Sequence, residues 1–141
     1  MGAIQVWQSA SGPKIMVMNS TQVGAWAEDI AWQHIQQRGW SLIARNFFCK
    51  GGELDIIVQK GDVLAFVEVK YRKNHTMGGA IASLSHAKQR HLIHSAKVFL
   101  QRYPLLSKLN CRFDLIAISG SDGPHSQVQI QWLDNAFITS G

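Results

Sequence analysis

The stretch from Gly51 to Lys70, GGELDIIVQKGDVLAFVEVK, constrains the fold more than any other part of the chain. Two apolar runs flank Gly61-Asp62, a two-residue turn in which glycine takes a positive φ at the first position. The pattern predicts a β-hairpin with strands over Glu53–Gln59 and Val63–Lys70. Side chains alternate along a strand. Leu54, Ile56, Val58, Val63, Ala65, Val67 and Val69 therefore fall on one face, and Ile57, Leu64 and Phe66 on the other. Both faces are apolar, so the hairpin belongs in the middle of a sheet covered on both sides.

Four ionisable groups interrupt this apolar stretch. With Lys60 facing Val63, counting outward sets Asp55 opposite Glu68 and Glu53 opposite Lys70, with Asp55, Glu68 and Lys70 on the face of Phe66. Opposed side chains have Cβ atoms about 4.5–5.5 Å apart. Two carboxylates that close, away from bulk water, cannot both stay ionised without a cation between them. Lys70 supplies one positive charge. A divalent ion supplies two, and carboxylates with water are the ligand set of Mg²⁺ or Mn²⁺. The residues alone leave two readings open. One is a metal site at the edge of the sheet core. The other is an ordinary salt bridge of Glu68 with Lys70, helped by Glu53, with Asp55 solvated at a frayed strand end.

The rest of the chain supplies the cover. Ser20 or Thr21 caps a predicted helix over Val23–Gln37, whose less polar face carries Ala27, Ile30, Ala31, His34 and Ile35. Gly39 stops it, and Trp40–Phe48 reads as a strand. Ser83 or Ser85 opens a second helix that Pro104 ends. CRFDLIAIS (Cys111–Ser119) and QVQIQWL (Gln127–Leu133) are the last two strands, joined by the turn-rich GSDGPHS. Helix, three strands, helix, two strands make a mixed α/β domain. Residues 1–20 read as an N-terminal extension, with a short strand at Lys14–Met18, and residues 21–141 as a single domain. With 141 residues, 46% of them hydrophobic, a core needs no disulfide or metal staple. Cys49 and Cys111 have no CxxC spacing and read as reduced core thiols of a cytoplasmic protein. No run reaches the ~18 apolar residues that cross a bilayer, so no membrane span is expected. The N-terminus lacks the pattern of a signal peptide.

Beyond the hairpin, the segments GAWAEDIAWQHIQQRGWSLIARNF, GELDIIVQKGDVLAFVEVKYR, KQRHLIHSAKVFL, CRFDLIAI and NAF occur in the order found in the YraN family, also called UPF0102. Asp55, twelve intervening residues, then Glu68-Val69-Lys70 resembles the PD-(D/E)xK signature of restriction-endonuclease-like nucleases. The resemblance covers about Gly24 to Phe137. It implies a restriction-endonuclease-like fold, with a central mixed sheet built on a β-hairpin core and flanked by helices. It also implies a metal-dependent nuclease. Asp55 and Glu68 would ligate Mg²⁺ or Mn²⁺, with the Val69 carbonyl as a third ligand, and Lys70 would orient the attacking water and stabilise developing charge. Glu28 matches the first-helix glutamate of related junction resolvases. Ala27 stands before it where the family motif often has glycine, a mild change within a helix.

A net charge of +5 and a pI of about 9.5 suit a polyanionic partner, nucleic acid and DNA first. Arg72 and Lys73 after the strand, and Lys88 and Arg90 at the start of the second helix, are the candidate phosphate contacts. The expected activity is hydrolysis of DNA phosphodiesters, branched or junction DNA included. The alternative is a non-catalytic nucleic-acid-binding module on the same fold, against which the intact acidic pair and lysine weigh. Junction resolvases cut as dimers, which raises a homodimer by analogy alone. Glu53 and Asp114 read as structural acids. His86, His91 and His94 lack a companion ligand at zinc spacing and read as packed or surface groups. Trp26, Trp32, Trp40 and Trp132 fall in elements that need core.

Overall fold

A computed structural model describes residues 19–72, 84–120 and 128–137. The elements are α1 (Ser20–Gln36), β1 (Ser41–Cys49), β2 (Gly52–Lys60), β3 (Val63–Arg72), α2 (His86–Arg102), a short 3-10 helix (Pro104–Lys108), β4 (Asn110–Ser119) and β5 (Gln129–Phe137). The predicted short strand at Lys14–Met18 and the turn-rich segment before β5 lie outside the described residues, apart from Gly120.

α1 begins one residue earlier than Ser20 or Thr21 would set it. Asn19 is the cap: its Oδ1 accepts the Gln22 N–H at 2.8 Å, and Gln22 Oε1 accepts the Asn19 N–H at 3.0 Å. This reciprocal pair is a capping box, which Asn-x-x-Gln builds as well as Ser/Thr-x-x-Glu does. At the other end Gly39 has φ 87°, the left-handed conformation that glycine adopts without steric cost. Ser85 caps α2, accepting the Lys88 N–H at 3.1 Å. Pro104 both ends α2 and opens the 3-10 helix.

The five strands form one sheet in the order β1-β2-β3-β4-β5. β3 and β4 are parallel and every other pair is antiparallel. A parallel neighbour demands a crossover, and α2 supplies it. The Gly61-Asp62 turn has the expected register, Lys60 opposite Val63, and Gly61 has φ 59°. Asp62 also docks the start of β4: its carbonyl takes the Asn110 N–H at 2.8 Å and its carboxylate the Asn110 amide at 2.9 Å.

Each helix covers one face of the sheet. α1 packs Trp26, Ala27, Ile30, Ala31 and Ile35 on Ile56, Val58, Ala65, Val67, Ile116 and Ile118. α2 packs Leu92, Ala96 and Phe99 on Leu54, Ile57, Leu64, Phe66, Phe113, Leu115 and Ala117. The central strands are therefore apolar on both sides, as their sequence requires. Trp32, Trp40 and Trp132 are half-buried against the α1 side. The architecture is α/β, a five-stranded mixed sheet between two helices, of the restriction-endonuclease-like kind. Among the described residues no helix is long and apolar enough to cross a membrane.

Two expectations change. Cys111 is exposed and Cys49 only half-buried, so neither is a core thiol; Cys49 Sγ sits 3.5 Å from Ser95 Oγ. Leu54 belongs to the α2 side, not the side of Ile56. The alternation breaks between them where β1 is irregular: Asn46, between the pairs Arg45↔Ile56 and Phe47↔Leu54, has φ 53°.

The Gly51-Gly52 turn is pressed against α2. His94 Nε2 lies 3.0 Å from the Lys50 carbonyl, and a Cβ on Gly52 would stand 2.6 Å from Ser95 Oγ and 3.3 Å from the His91 carbonyl. Ser95 is fully buried and the carbonyl is helix backbone, so neither can yield. Gly52→Ala is expected to lower stability by about 1–3 kcal/mol, the scale of an overpacked core site. A denaturant melt checks this, and an unchanged midpoint would mean that the turn is not held to α2.

Candidate active site

The β2–β3 ladder runs from Lys60↔Val63 to Ile56↔Val67 and stops there. Beyond this pair the strands part, and Asp55 fills the gap. Its Oδ2 accepts the Val69 N–H at 3.0 Å, so a side-chain carboxylate takes the place of the missing β2 carbonyl. Asp55 and Glu68 thus meet, as the turn count predicts, but as a carboxyl pair at the mouth of two diverging strands and not as a ladder pair. Both are buried, at 8% and 5% exposure. Lys70 follows Glu68 on the same strand face, half-buried, and lies beside Ala117 of β4.

The helices approach this pair from opposite sides of the sheet. Glu28 comes from α1, with Arg45 of β1 at 3.8 Å and a hydrogen bond to the Asn46 side chain. Arg45 also holds Asp29 at 2.9 Å. Lys88 comes from α2 and sets its Nζ 3.0 Å from Glu68 Oε2. That contact, ionic and within hydrogen-bond distance, is the partner of a buried oxygen.

These neighbours shape the ionisation. Burial pushes the Asp55 carboxyl up to about 9, the hydrogen bond and charge of Glu68 add to it, the Val69 N–H opposes it, and Glu28 raises it further. The pair therefore holds a proton at neutral pH. Burial likewise raises Glu28; Arg45 pulls it down, Glu53 pushes it up, and the net shift is upward. Burial lowers the Lys88 ammonium, but the charges of Glu68, Asp55 and Glu53 outweigh it and leave Lys88 raised.

Two contacting buried carboxyls that cannot both be ionised without a proton or a cation between them fit a hard divalent cation. Asp55, Glu68 and the Val69 carbonyl form an all-oxygen donor set. Among the described residues no three His, Cys, Asp or Glu side chains gather closely enough to hold a metal by themselves. Such an ion would therefore keep water in its shell, as Mg²⁺ usually does.

The other candidates sort as follows. Arg72 and Arg90 are exposed, and Lys73 lies outside the described residues. Lys88, expected among the phosphate contacts, is engaged with Glu68. Glu53 lies opposite Phe48 of β1, since β2 has already left β3, and no Glu53–Lys70 ion pair occurs among the described residues. Asp114 is structural: it takes Trp132 Nε1 at 2.8 Å, the Asn135 N–H at 3.1 Å and Arg112 Nε at 3.1 Å, bracing the irregular β4–β5 pairing. His86, His91 and His94 are exposed. Sequence reasoning missed Arg45 and Asn46. Both lie in an ordinary-looking strand, and only the packing of α1 brings Glu28 to them.

Fold and site together define a mixed α/β protein with a buried acidic pair and a lysine at the open end of its central hairpin. The chain belongs to the uncharacterised protein family UPF0102, whose model matches residues 27–118. That span contains Glu28, Asp55, Glu68, Lys70 and Lys88. A UPF0102 protein of Pseudomonas fluorescens is 44% identical over 123 residues, covering 86% of this chain and 98% of the relative. One from Herminiimonas arsenicoxydans is 46% identical over 115 residues, 82% of this chain and 86% of its own. One from Saccharophagus degradans is 41% identical over 116 residues, 82% of this chain and 92% of its own.

The Asp55 shift sets a pH dependence for the metal-free protein. An acid raised from 3.8 to about 9 binds more protons folded than unfolded across that range. Stability therefore falls as pH rises from about 4 towards 9. Asp55→Asn keeps the shape and an acceptor for Val69 but loses the titration. In chelator it is expected to melt several degrees above the parent at pH 8 and close to it at pH 4. A parent melting point that rises over this interval while that of Asp55→Asn stays flat would show the carboxyl pair to be wrongly assigned.

Proposed function

We propose that this chain is a Mg²⁺- or Mn²⁺-dependent nuclease that hydrolyses DNA phosphodiester bonds. The observation that carries the reading is the buried Asp55–Glu68 contact with Lys70 two residues on, along the same strand face. Lys70 has no ion-pair partner among the described residues, so its ammonium is not committed to holding the fold together.

In this reading Asp55, Glu68 and the Val69 carbonyl hold the divalent ion. Once bound, it would supply Lewis-acid stabilisation of a phosphate and acidify a water. The rest is done by side chains. Lys70 orients the attacking water and meets negative charge as it builds on the phosphate oxygens. Glu28 adds a third acid from the α1 side, held by Arg45 and Asn46, and places a proton acceptor near the water. Arg72 and Arg90, exposed at the end of β3 and in the second turn of α2, offer contacts to backbone phosphates. The net charge of +5 favours approach to a polyanion. The resemblance to junction resolvases makes branched DNA the first substrate to try.

The deciding experiment is cleavage of single-stranded, duplex and branched DNA with and without Mn²⁺. The parent should cleave only with metal, and Asp55→Asn and Glu68→Gln should be inactive though folded. Lys70→Met should still bind Mn²⁺ and DNA while cleavage drops by at least ~10²-fold, the scale of a lost acid–base or electrostatic group. Cleavage that survives these changes, or no cleavage of any substrate, would reject the nuclease reading.

DNA binding should weaken steeply with salt, because Arg and Lys displace counterions from phosphates. Arg72→Ala with Arg90→Ala should flatten the plot of log affinity against log salt by roughly two contacts' worth of slope. A salt-independent affinity would point away from nucleic acid.

A further inference from the structure

We infer that Lys88 is the resident counter-ion of the carboxyl pair, holding on Glu68 Oε2 the place that a divalent ion takes when it binds, and so limits the metal affinity of the site. The inference rests on the metal-dependent reading above and adds a residue and a mechanism of regulation to it.

Three observations carry it. First, the two cations would share one atom. Lys88 Nζ is 3.0 Å from Glu68 Oε2, a buried oxygen, so the ammonium is what neutralises it. A divalent ion on the same oxygen would stand within a few ångströms of that ammonium, in a place shielded from water. Like charges at that separation repel strongly, so one must leave. Second, its own helix does not favour the Lys88 charge. It lies in the first turn of α2, where the helix dipole disfavours a cation, and that turn has no acidic residue. The carboxylates alone hold it there. Third, its main chain is fixed while its stem is free. Ser85 Oγ takes the Lys88 N–H at 3.1 Å, whereas the four-carbon side chain can swing without disturbing the helix.

The consequence is an exchange. In the metal-free protein Lys88 keeps Glu68 from being an unpaired buried charge. When the ion arrives, Lys88 is released with its charge beside the basic start of α2, where His86 and Arg90 already stand. The freed ammonium is then available to a substrate phosphate. The two lysines divide the work: Lys88 guards the empty site, and Lys70 remains uncommitted for the reaction.

The test is calorimetric titration of the full chain with Mn²⁺, beside melting curves in chelator and in saturating Mn²⁺. Lys88→Met removes the competing charge and keeps an unbranched stem one atom shorter. Its Mn²⁺ affinity should rise by about tenfold or more, as when a competent state held near 10% becomes fully populated. It should melt lower than the parent in chelator, and the deficit should close in Mn²⁺. Lys88→Arg keeps the cation and should retain the parent's affinity within about threefold. Should Lys88→Met fail to fold without metal, Lys88→Gln leaves Glu68 a donor and carries the same comparison. Binding detected in the neutral variant but not in the parent would support the exchange. Equal or weaker Mn²⁺ affinity in the neutral variants would overturn the role of Lys88 and leave the metal site standing. No Mn²⁺ binding in the parent or any variant would overturn the metal reading and this inference with it.

Discussion

The hydrogen bond from the Val69 N–H to the Asp55 carboxyl is the contact on which the rest of this site depends. A sheet cannot open in its middle without leaving buried main-chain groups unpaired, and each would cost about 1–3 kcal/mol. Here the ladder ends at Ile56↔Val67, and a side chain completes what the β2 backbone has stopped providing. The strands are then free to diverge. The gap that results admits carboxyl groups where a closed ladder would have packed apolar ones. Beside the gap Asn46 takes a positive φ and Leu54 joins the α2-side core, which stays apolar up to the edge of the gap.

Opening the sheet places the acidic pair at the seam between two cores, one under each helix. Neither core is interrupted by charge. The ionisable groups instead come from the rim: Glu28 across α1, Lys88 across α2, Asp55 and Glu68 from the strands. The pair still carries an electrostatic burden, since two contacting carboxyls are stable only with a proton or a cation between them. A sheet buried on both faces can hold them in place despite this. The surrounding strands are fixed by apolar contacts that are indifferent to pH, so the local cost is borne without melting the element that carries it.

Much of this was legible in the chain itself. Gly61-Asp62 gave the turn, the turn gave the register, and the register brought Asp55 to Glu68. Two apolar faces announced two covering layers, and two helices were there to provide them. What could not be read was of two kinds. Local departures from regular geometry hid in unremarkable residues: Asn46 takes φ 53°, and Asn19 rather than a serine or threonine caps α1. Contacts between distant segments hid altogether. Lys88 is twenty residues from Glu68 and on a different element, and no periodicity says which residue of a helix will reach a strand residue across the fold. Cys111 was misjudged for a related reason. It lies near the start of β4, between Asn110 and Arg112, where the strand has not yet entered the core, and cysteine spacing carries no information on burial.

The two lysines show how a motif can mislead about chemistry even where it locates a site. By spacing alone Lys70 is the natural partner of Glu68, two residues away on one strand face, and the plain alternative to a metal site was that salt bridge. The fold assigns the salt bridge to Lys88 instead. This removes the main argument for Lys70 as a structural cation, because the carboxylate it would have neutralised is already neutralised from the other side. Lys70 is half-buried two residues from Glu68 on the same strand face and has no ion-pair partner among the described residues. Under the proposed reading, that uncommitted charge is the one a substrate phosphate would meet.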